Sequence, residues 1–470
     1  MGDSHLVTKP HDLAAVIARV SQRYQVPRDI LLAIVAPVIT DLASADPDGL
    51  ERKLTRRVPD IRALRTHLAQ PSADAVLAGW RQAAAAACEA GRLAELDKAL
   101  AQAELHILGG LAGLAELPAE RRIAAGEARA DRGTTSLLQL APEGCREASR
   151  RFAEAAAIVG LADPDRSHEL ALRQADALSR LGEEFADRSG YEAAIAHLRT
   201  LLTGLDNFDD TVRWAATQER LGLALVGLGA LNGDSALLRQ AASCYRTTLE
   251  DLRPDHAKPL WIRLQRHLGT LALQFGEADG DVGLIEEAVE AFRAALPAMD
   301  RAADVQGWAR TQFDLGRALS VLGRKTHGMA SLEAAFNALQ AASEHWTHEA
   351  SPERWADIQD RMGSVLVAMG GSYSETVVLE EAIAAYGRAL DIRQRQTAPL
   401  LWATSSANQG EAMMLLARRR KDLVLAQQAL AQMVTAVEAA GAAGSKSGIA
   451  ELQKKLVAAG AIAQDLGRAQ

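Results

Sequence analysis

A chain of 470 residues with net charge −8 and a pI near 5.8 carries no basic excess. That excludes the electrostatic footprint of a general nucleic-acid or anionic-membrane binder. Apolar residues make up 48% but aromatics only 4%, so a large interior must be built from Ala and Leu, as closely packed helices require.

Residues 7 to 70 read as a helical segment. Leu13, Val16, Ile17 and Val20 stand at helical spacing, Pro27 starts a second stretch, and Pro37 interrupts it. The apolar run from Ile30 to Ile39 is ten residues long, against the ~20 a membrane-spanning helix needs. No signal peptide opens the chain, and Leu6 stands where an N-myristoylation signal wants Ser or Thr. A cytoplasmic location without membrane insertion is the expectation. Cys88, Cys145 and Cys244 are odd in number and far apart, reading as small buried hydrophobes in a reducing compartment. The words Ser21 to Val35 resemble the opening of lytic transglycosylase domains. The catalytic Glu that this resemblance implies is replaced by Ala36-Pro37-Val38.

From 71 to 165 the pattern gives irregular helical hairpins. Ala75 to Ala90 ends at Gly91, and Ala94 to Ile107 ends at Gly109 and Gly110. Glu120 to Leu138 pairs with Cys145 to Val159, where Ala148, Phe152 and Ala155 give a small–large–small spacing. These read as degenerate units grading into an array, since terminal repeats are atypical.

The array occupies 166 to 440. Trp214, Trp261, Trp308, Trp355 and Trp402 follow one another at steps of 47. The same step carries Gly222, Gly269, Gly316, Gly363 and Gly410, then Gly229, Gly276, Gly323 and Gly370, with Ala417 last. Ala241, Ala288, Ala335, Ala382 and Ala429 follow, each four residues before Tyr245, Phe292, Leu339, Tyr386 or Met433. A sixth copy, without its Trp, begins near Ser167 with Gly182, Ala194 and Leu198. A fixed period of this size means a solenoid whose units bury their apolar faces only against neighbours. Within a copy, one helix runs from the Trp to the second Gly and another covers stretches such as Leu284 to Leu296, both with helical periodicity. Residues 441 to 470 supply a closing helix, Ser447 to Gly467.

These columns resemble the tetratricopeptide repeat. Leu221-Gly222, Gly229, Ala241, Tyr245 and Thr248 take the family's places, as do Leu268-Gly269, Gly276, Ala288, Phe292 and Ala295, and Leu315-Gly316, Gly323, Ala335, Leu339 and Ala342. The resemblance implies an all-α, right-handed superhelical solenoid of antiparallel helix hairpins. It departs in period, since the family repeat has about 34 residues. The aromatic also moves: Gln218, Gln265, Gln312 and Gln359 occupy its usual place. Such long repeats resemble those of bacterial multi-repeat proteins. A Trp spanning two units buries about 150–250 Å², so the Trp column reads as core, and Trp308→Ala is expected to cost roughly 3–5 kcal/mol.

By the family's register the concave face takes Glu219, Arg220, Leu223 and Val226, then Arg263, Arg266, His267, Thr270 and Gln274. Arg310, Asp314, Arg317 and Ser320 follow, then Asp357, Asp360, Arg361 and Ser364, and finally Asn408 and Glu411. From Trp261 to Gly276 there are two Arg and His267 but no acid. With Arg220, Arg310, Arg317 and Arg361 they make a basic strip that suits an acidic protein or peptide; the plainer reading is a solvated face with paired charges.

Other motifs are weak. His345-Trp-Thr-His348 lacks a third metal ligand, Asp279-Gly-Asp281 with Glu286 lacks EF-hand spacing, and Gly444-Ser-Lys-Ser-Gly448 lacks phosphate-loop spacing and a preceding strand. Gly109 to Gly113 follows a helix, so it is no dinucleotide loop. No catalytic set, cofactor or metal is assigned. The expectation is a non-catalytic scaffold or adaptor that binds a protein or peptide, not nucleic acid. The alternatives are a self-assembling homo-oligomer and an effector acting through residues 1–165.

Overall fold

The computed structural model describes residues 10–38, 47–109, 117–372 and 376–468, which form twenty α-helices and no strand. The start Met1–Leu6, Ile39 and Gly110–Gly113 lie outside them. The chain divides into two compact units, Met1–Asp251 and Leu252–Gln470. From Ala75 onward in the first unit, and throughout the second, successive helices pack on one another in chain order, which makes antiparallel hairpins.

The first unit holds α1 (Pro10–Tyr24), α2 (Arg28–Val35), α3 (Pro47–Leu68), α4 (Ala75–Glu89), α5 (Leu93–Leu108), α6 (Ala119–Leu137) and α7 (Pro142–Val159). It continues through α8 (Pro164–Phe185), α9 (Arg188–Thr203), α10 (Thr211–Asn232) and α11 (Ser235–Asp251). Helix α3 has two different faces. Leu50, Leu54, Val58, Ile61 and Leu64 close a core with α1, α2, α4 and α5. Its polar side lies toward α6 and α8: Arg57, fully buried, meets Glu184 at 2.5 Å, Asp60 meets Arg180 at 2.7 Å, and His67 meets Asp131 at 2.5 Å.

The second unit holds α12 (Lys258–Asp279), α13 (Val282–Ala298), α14 (Val305–Thr326), α15 (Met329–Ser343) and α16 (Pro352–Ser372). Then come α17 (Val377–Ile392), α18 (Pro399–Arg420), α19 (Leu423–Ala442) and α20 (Lys446–Arg468). Helix α20 packs on both α18 and α19. Helix α19 is the one described helix long and apolar enough to cross a membrane. One face of it, Ala426, Ala429, Met433, Ala436 and Ala439, is nonetheless buried in the stack.

Both glycine columns are seats for large side chains. Gly222, Gly269, Gly316, Gly363 and Gly410 lie under Tyr245, Phe292, Leu339, Tyr386 and Met433; Gly182, Gly229, Gly276, Gly323 and Gly370 lie under Tyr191, Leu238, Ile285, Leu332 and Leu379. In the last copy Ala417 replaces the Gly while Ala426 replaces the large residue, and both are buried. This corrects the expectation that the first helix ends at the second Gly, since Gly229 and its equivalents lie inside that helix. The left-handed turn position comes four residues later, at Ala186, Gly233, Gly280, His327 and Lys421, where only two copies carry Gly.

The Trp column belongs to the core only in part, with Trp308 and Trp402 packed against its flank. Trp214, Trp261, Trp308, Trp355 and Trp402 are half-buried. Each ends the first turn of its helix, its N–H bonding to the carbonyl of Asp210, Ala257, Asp304, Ser351 or Ala398. In three copies a residue seven positions earlier covers the ring: Arg301 at 4.2 Å from Trp308, His348 edge-on at 5.0 Å from Trp355, and Arg395 at 5.6 Å from Trp402.

Candidate functional site

In the first unit, Arg220 holds the buried Glu219 at 2.6 Å and reaches Asp176 at 3.5 Å. Leu223 is exposed and Val226 half-buried. This is a paired, largely closed surface.

In the second unit the expected strip is uneven. Arg263, Thr270 and Gln274 are exposed, and Arg266 and His267 half-buried. Burial, and then the neighbouring Arg310 charge, lower the Arg266 pKa. Ser320 and Asp360 are buried rather than open to a groove. Asp360 accepts from Ser405 Oγ at 2.7 Å and lies 3.3 Å from Arg393, which also pairs with Asp357. Ser364 shares a 3.0 Å hydrogen bond with the Tyr386 hydroxyl, whereas Arg361 is exposed. At the far end Lys455 of α20 donates to Asn408 at 2.6 Å and Glu411 at 2.8 Å, which takes both out of the strip.

A pocket of this unit forms one repeat beyond Arg263, Arg266 and His267. It measures about 270 Å³ and is lined by Arg310, Phe313, Asp314 and Arg317 of α14, Trp346 after α15, and Arg354 and Asp357 of α16. Helical spacing puts Arg310, Phe313, Asp314 and Arg317 on one face. Trp346 is only 4% exposed. Its indole N–H donates to Gln306 Oε1 at 3.0 Å, and Arg354 Nη1 donates to the same oxygen at 3.0 Å. The Arg354 guanidinium lies 4.6 Å over the indole, whose ring stands 6.0 Å from that of Phe313. The walls are thus aromatic and the rim cationic.

Both acids in the pocket have arginine partners. Burial raises the Asp314 pKa, against the lowering pull of Arg310 and Arg317; Arg310 itself is 3.9 Å away. Asp357 is drawn to Arg393. Arg317 reaches Glu277 at 3.4 Å. Three guanidiniums and two carboxylates thus line the space, a surplus of one positive charge.

Of the residues expected to bind a partner, Arg310 and Arg317 come together here, while Arg220, Arg263, Arg266, His267 and Arg361 do not line this pocket. Phe313, Trp346 and Arg354 were not legible as site residues. Trp346 stands at the 47-step position held by Leu252, Met299 and Arg393 in other copies, and a column so mixed carries no signal.

The weaker motifs resolve into turns. Asp281 caps α13 through the N–H groups of Gly283 and Leu284, and Ser445 Oγ accepts from the Gly448 N–H. His348 packs on Trp355 rather than converging with His345. Gly109 caps α5 in the left-handed conformation.

Periodic columns and sequential hairpins agree. The chain is a helical-repeat protein. No protein-family model and no curated protein matches it. Among solved structures, BtubC from P. vanneervenii is 21% identical, with TM-score 0.35 over 55% of this chain and 91% of that one. The human IFIT1 dimer with PPP-AAAA is 16% identical, with TM-score 0.30 over 97% and 96%. A circular tandem repeat protein is 15% identical, with TM-score 0.27 over 98% of both. Likenesses this distant carry no functional argument.

Proposed function

We propose that the protein is a non-catalytic scaffold of the tetratricopeptide-repeat kind that binds another protein or peptide with acidic character through the α14–α16 pocket. The observation that carries this reading is the rim of Arg310, Arg317 and Arg354 around Phe313 and Trp346. Arg pairs with carboxylates through two parallel hydrogen bonds and stacks on rings, and aromatic and Arg side chains dominate binding energy at protein interfaces. At about 270 Å³ the space falls below the ~300–1,000 Å³ of small-molecule sites, and suits one side chain of a larger partner. The proposal includes a cytoplasmic location, supported by the free, buried thiols of Cys88 and Cys145.

The test is Arg310→Glu combined with Arg317→Glu. Partners cross-linked to the wild-type protein at low ionic strength should be lost from the variant while its helical circular dichroism stays unchanged. Binding with unaltered strength and salt dependence would overturn the reading.

A further inference from the structure

We propose that the α14–α16 pocket receives the Phe208 turn of a second copy of this chain, so that copies associate head to tail. This names the occupant of the pocket and rests on the proposed function for the pocket itself.

Phe208 is 81% exposed, more than any other large apolar side chain among the described residues. The repeat does not require it: the same place in later copies holds Asp255, Ala302, Glu349 and Gln396. A solvated phenyl ring with no internal role is the kind of surface feature that marks an interaction site.

The turn that presents it is fixed. Asp206 Oδ1 accepts from the N–H of Phe208 at 2.7 Å and of Asp209 at 3.2 Å. The Thr211 hydroxyl bonds to the carbonyls of Asn207 and Phe208 at 2.7 and 3.1 Å, and Asn207 Nδ2 donates to Asp251 at 2.9 Å. Little ordering entropy remains to be lost on docking.

Chemistry matches the two surfaces. Asp206 and Asp209 flank the ring, and both are exposed. The pocket offers the half-buried Phe313 to the ring, over a floor of Trp346 lying beneath Arg354, and Arg310, Arg317 and Arg354 to the carboxylates. A phenyl group set beneath a guanidinium gains cation–π attraction, and Asp–Arg pairs at the rim fix the register. Because knob and socket are different patches, the contact is heterologous and propagates into rings or open chains.

Sedimentation velocity over a concentration series of the full chain at low ionic strength tests this. The average mass of the wild type should rise with concentration and fall back as salt is added. Phe208→Ala, which deletes the knob, and the double variant Arg310→Glu with Arg354→Glu, which deletes the socket, should each weaken self-association at least about tenfold, the scale of an interface anchor. An equimolar mixture of these two variants should form one-to-one dimers and stop there, since only one knob and one socket remain. A mass that does not change with concentration, a Phe208→Ala chain that assembles like wild type, or an inert mixture would each overturn the proposal. If the wild type stays monomeric while Arg310→Glu with Arg317→Glu still loses a foreign partner, self-association falls and the pocket's binding role stands.

Discussion

The Tyr245 ring lies on Gly222 so closely that a Cβ at Gly222 would sit 2.3 Å from ring carbon Cε1. Gly222→Ala therefore forces the ring or the helix to move, an overpacking cost of about 1–3 kcal/mol. The roughly 1 kcal/mol by which Ala favours helix over Gly offsets part of it. Gly460 in α20 has nothing within 4 Å of its would-be Cβ, so Gly460→Ala should stabilise by about 0.5–1 kcal/mol. Urea midpoints of the two variants should move in opposite directions. Equal shifts would mean the column is not a packing seat.

Arg57 and Glu184, 127 residues apart, form an ion pair with side-chain exposures of 0% and 3%. The Arg57 guanidinium makes hydrogen bonds of 2.5 and 2.6 Å to the carboxylate and one of 3.3 Å to the Gln139 carbonyl. Removing either partner strands a buried charge, at a cost of about 3–5 kcal/mol. Arg57→Met and Glu184→Met should each lower the unfolding midpoint sharply, and the double variant should recover much of the loss. Additive single effects would show that the pair is not coupled.

What could be read in the sequence divides along the same lines. Gly222 and Tyr245, or Gly276 and Ile285, repeat because every hairpin must bring two backbones together in the same way, so the columns announce the hairpins. The left-handed turn position was missed because Ala186, His327 and Lys421 occupy it in three copies, and none is a turn signal. The docking of α3 on α6 and α8 occurs once, between residues far apart, and periodicity cannot encode a contact that happens once. The pocket escaped for the same reason. Arg310 and Arg317 were legible from the register of α14, but Trp346 comes from a connecting segment whose neighbours in other copies are Leu, Met and Arg.

His67 adds a pH-dependent element to the α3 seam. The Asp131 hydrogen bond, and then Glu127, raise its pKa to about 9 from 6.5, against a burial penalty. A raised folded-state pKa contributes stability that is fully present below the unfolded value and is lost as pH rises through the folded one. The seam should hold up to about pH 6.5 and weaken progressively toward pH 9 and above. Hydrogen exchange of α3 amides, corrected for the intrinsic pH dependence, should speed up over that window in wild type. In His67→Gln that pH dependence should disappear. An identical profile in both proteins would remove His67 from the account.

Two tryptophans separate burial from sequence prominence. Trp308 belongs to the column that organises the repeat yet is half-buried, whereas Trp346 stands outside it and is 4% exposed with its N–H bonded to Gln306. Trp346→Ala should cost about 3–5 kcal/mol, the range for a fully buried ring, and Trp308→Ala clearly less. Repeat arrays unfold in steps under some conditions, so the comparison is made on midpoints in the same denaturant. A larger loss for Trp308→Ala would reverse the assignment.

His327 ends α14 with φ +52°, its N–H bonded to the Gly323 carbonyl, in a place where Gly233 and Gly280 serve two other copies. A side chain in the left-handed region costs roughly 1–2 kcal/mol and is tolerated here because the hairpin must turn at this point. His327→Gly relieves that strain but frees the unfolded chain, an opposing effect of about 0.4–1 kcal/mol. The net expectation is a rise in stability of up to about 1.5 kcal/mol by that difference. Gly280→Ala imposes the strain anew and should destabilise α12–α13 by a similar amount. Opposite shifts of the two midpoints in thermal or urea unfolding are the expected result; a drop for His327→Gly would mean the imidazole holds the turn through contacts that outweigh its strained backbone.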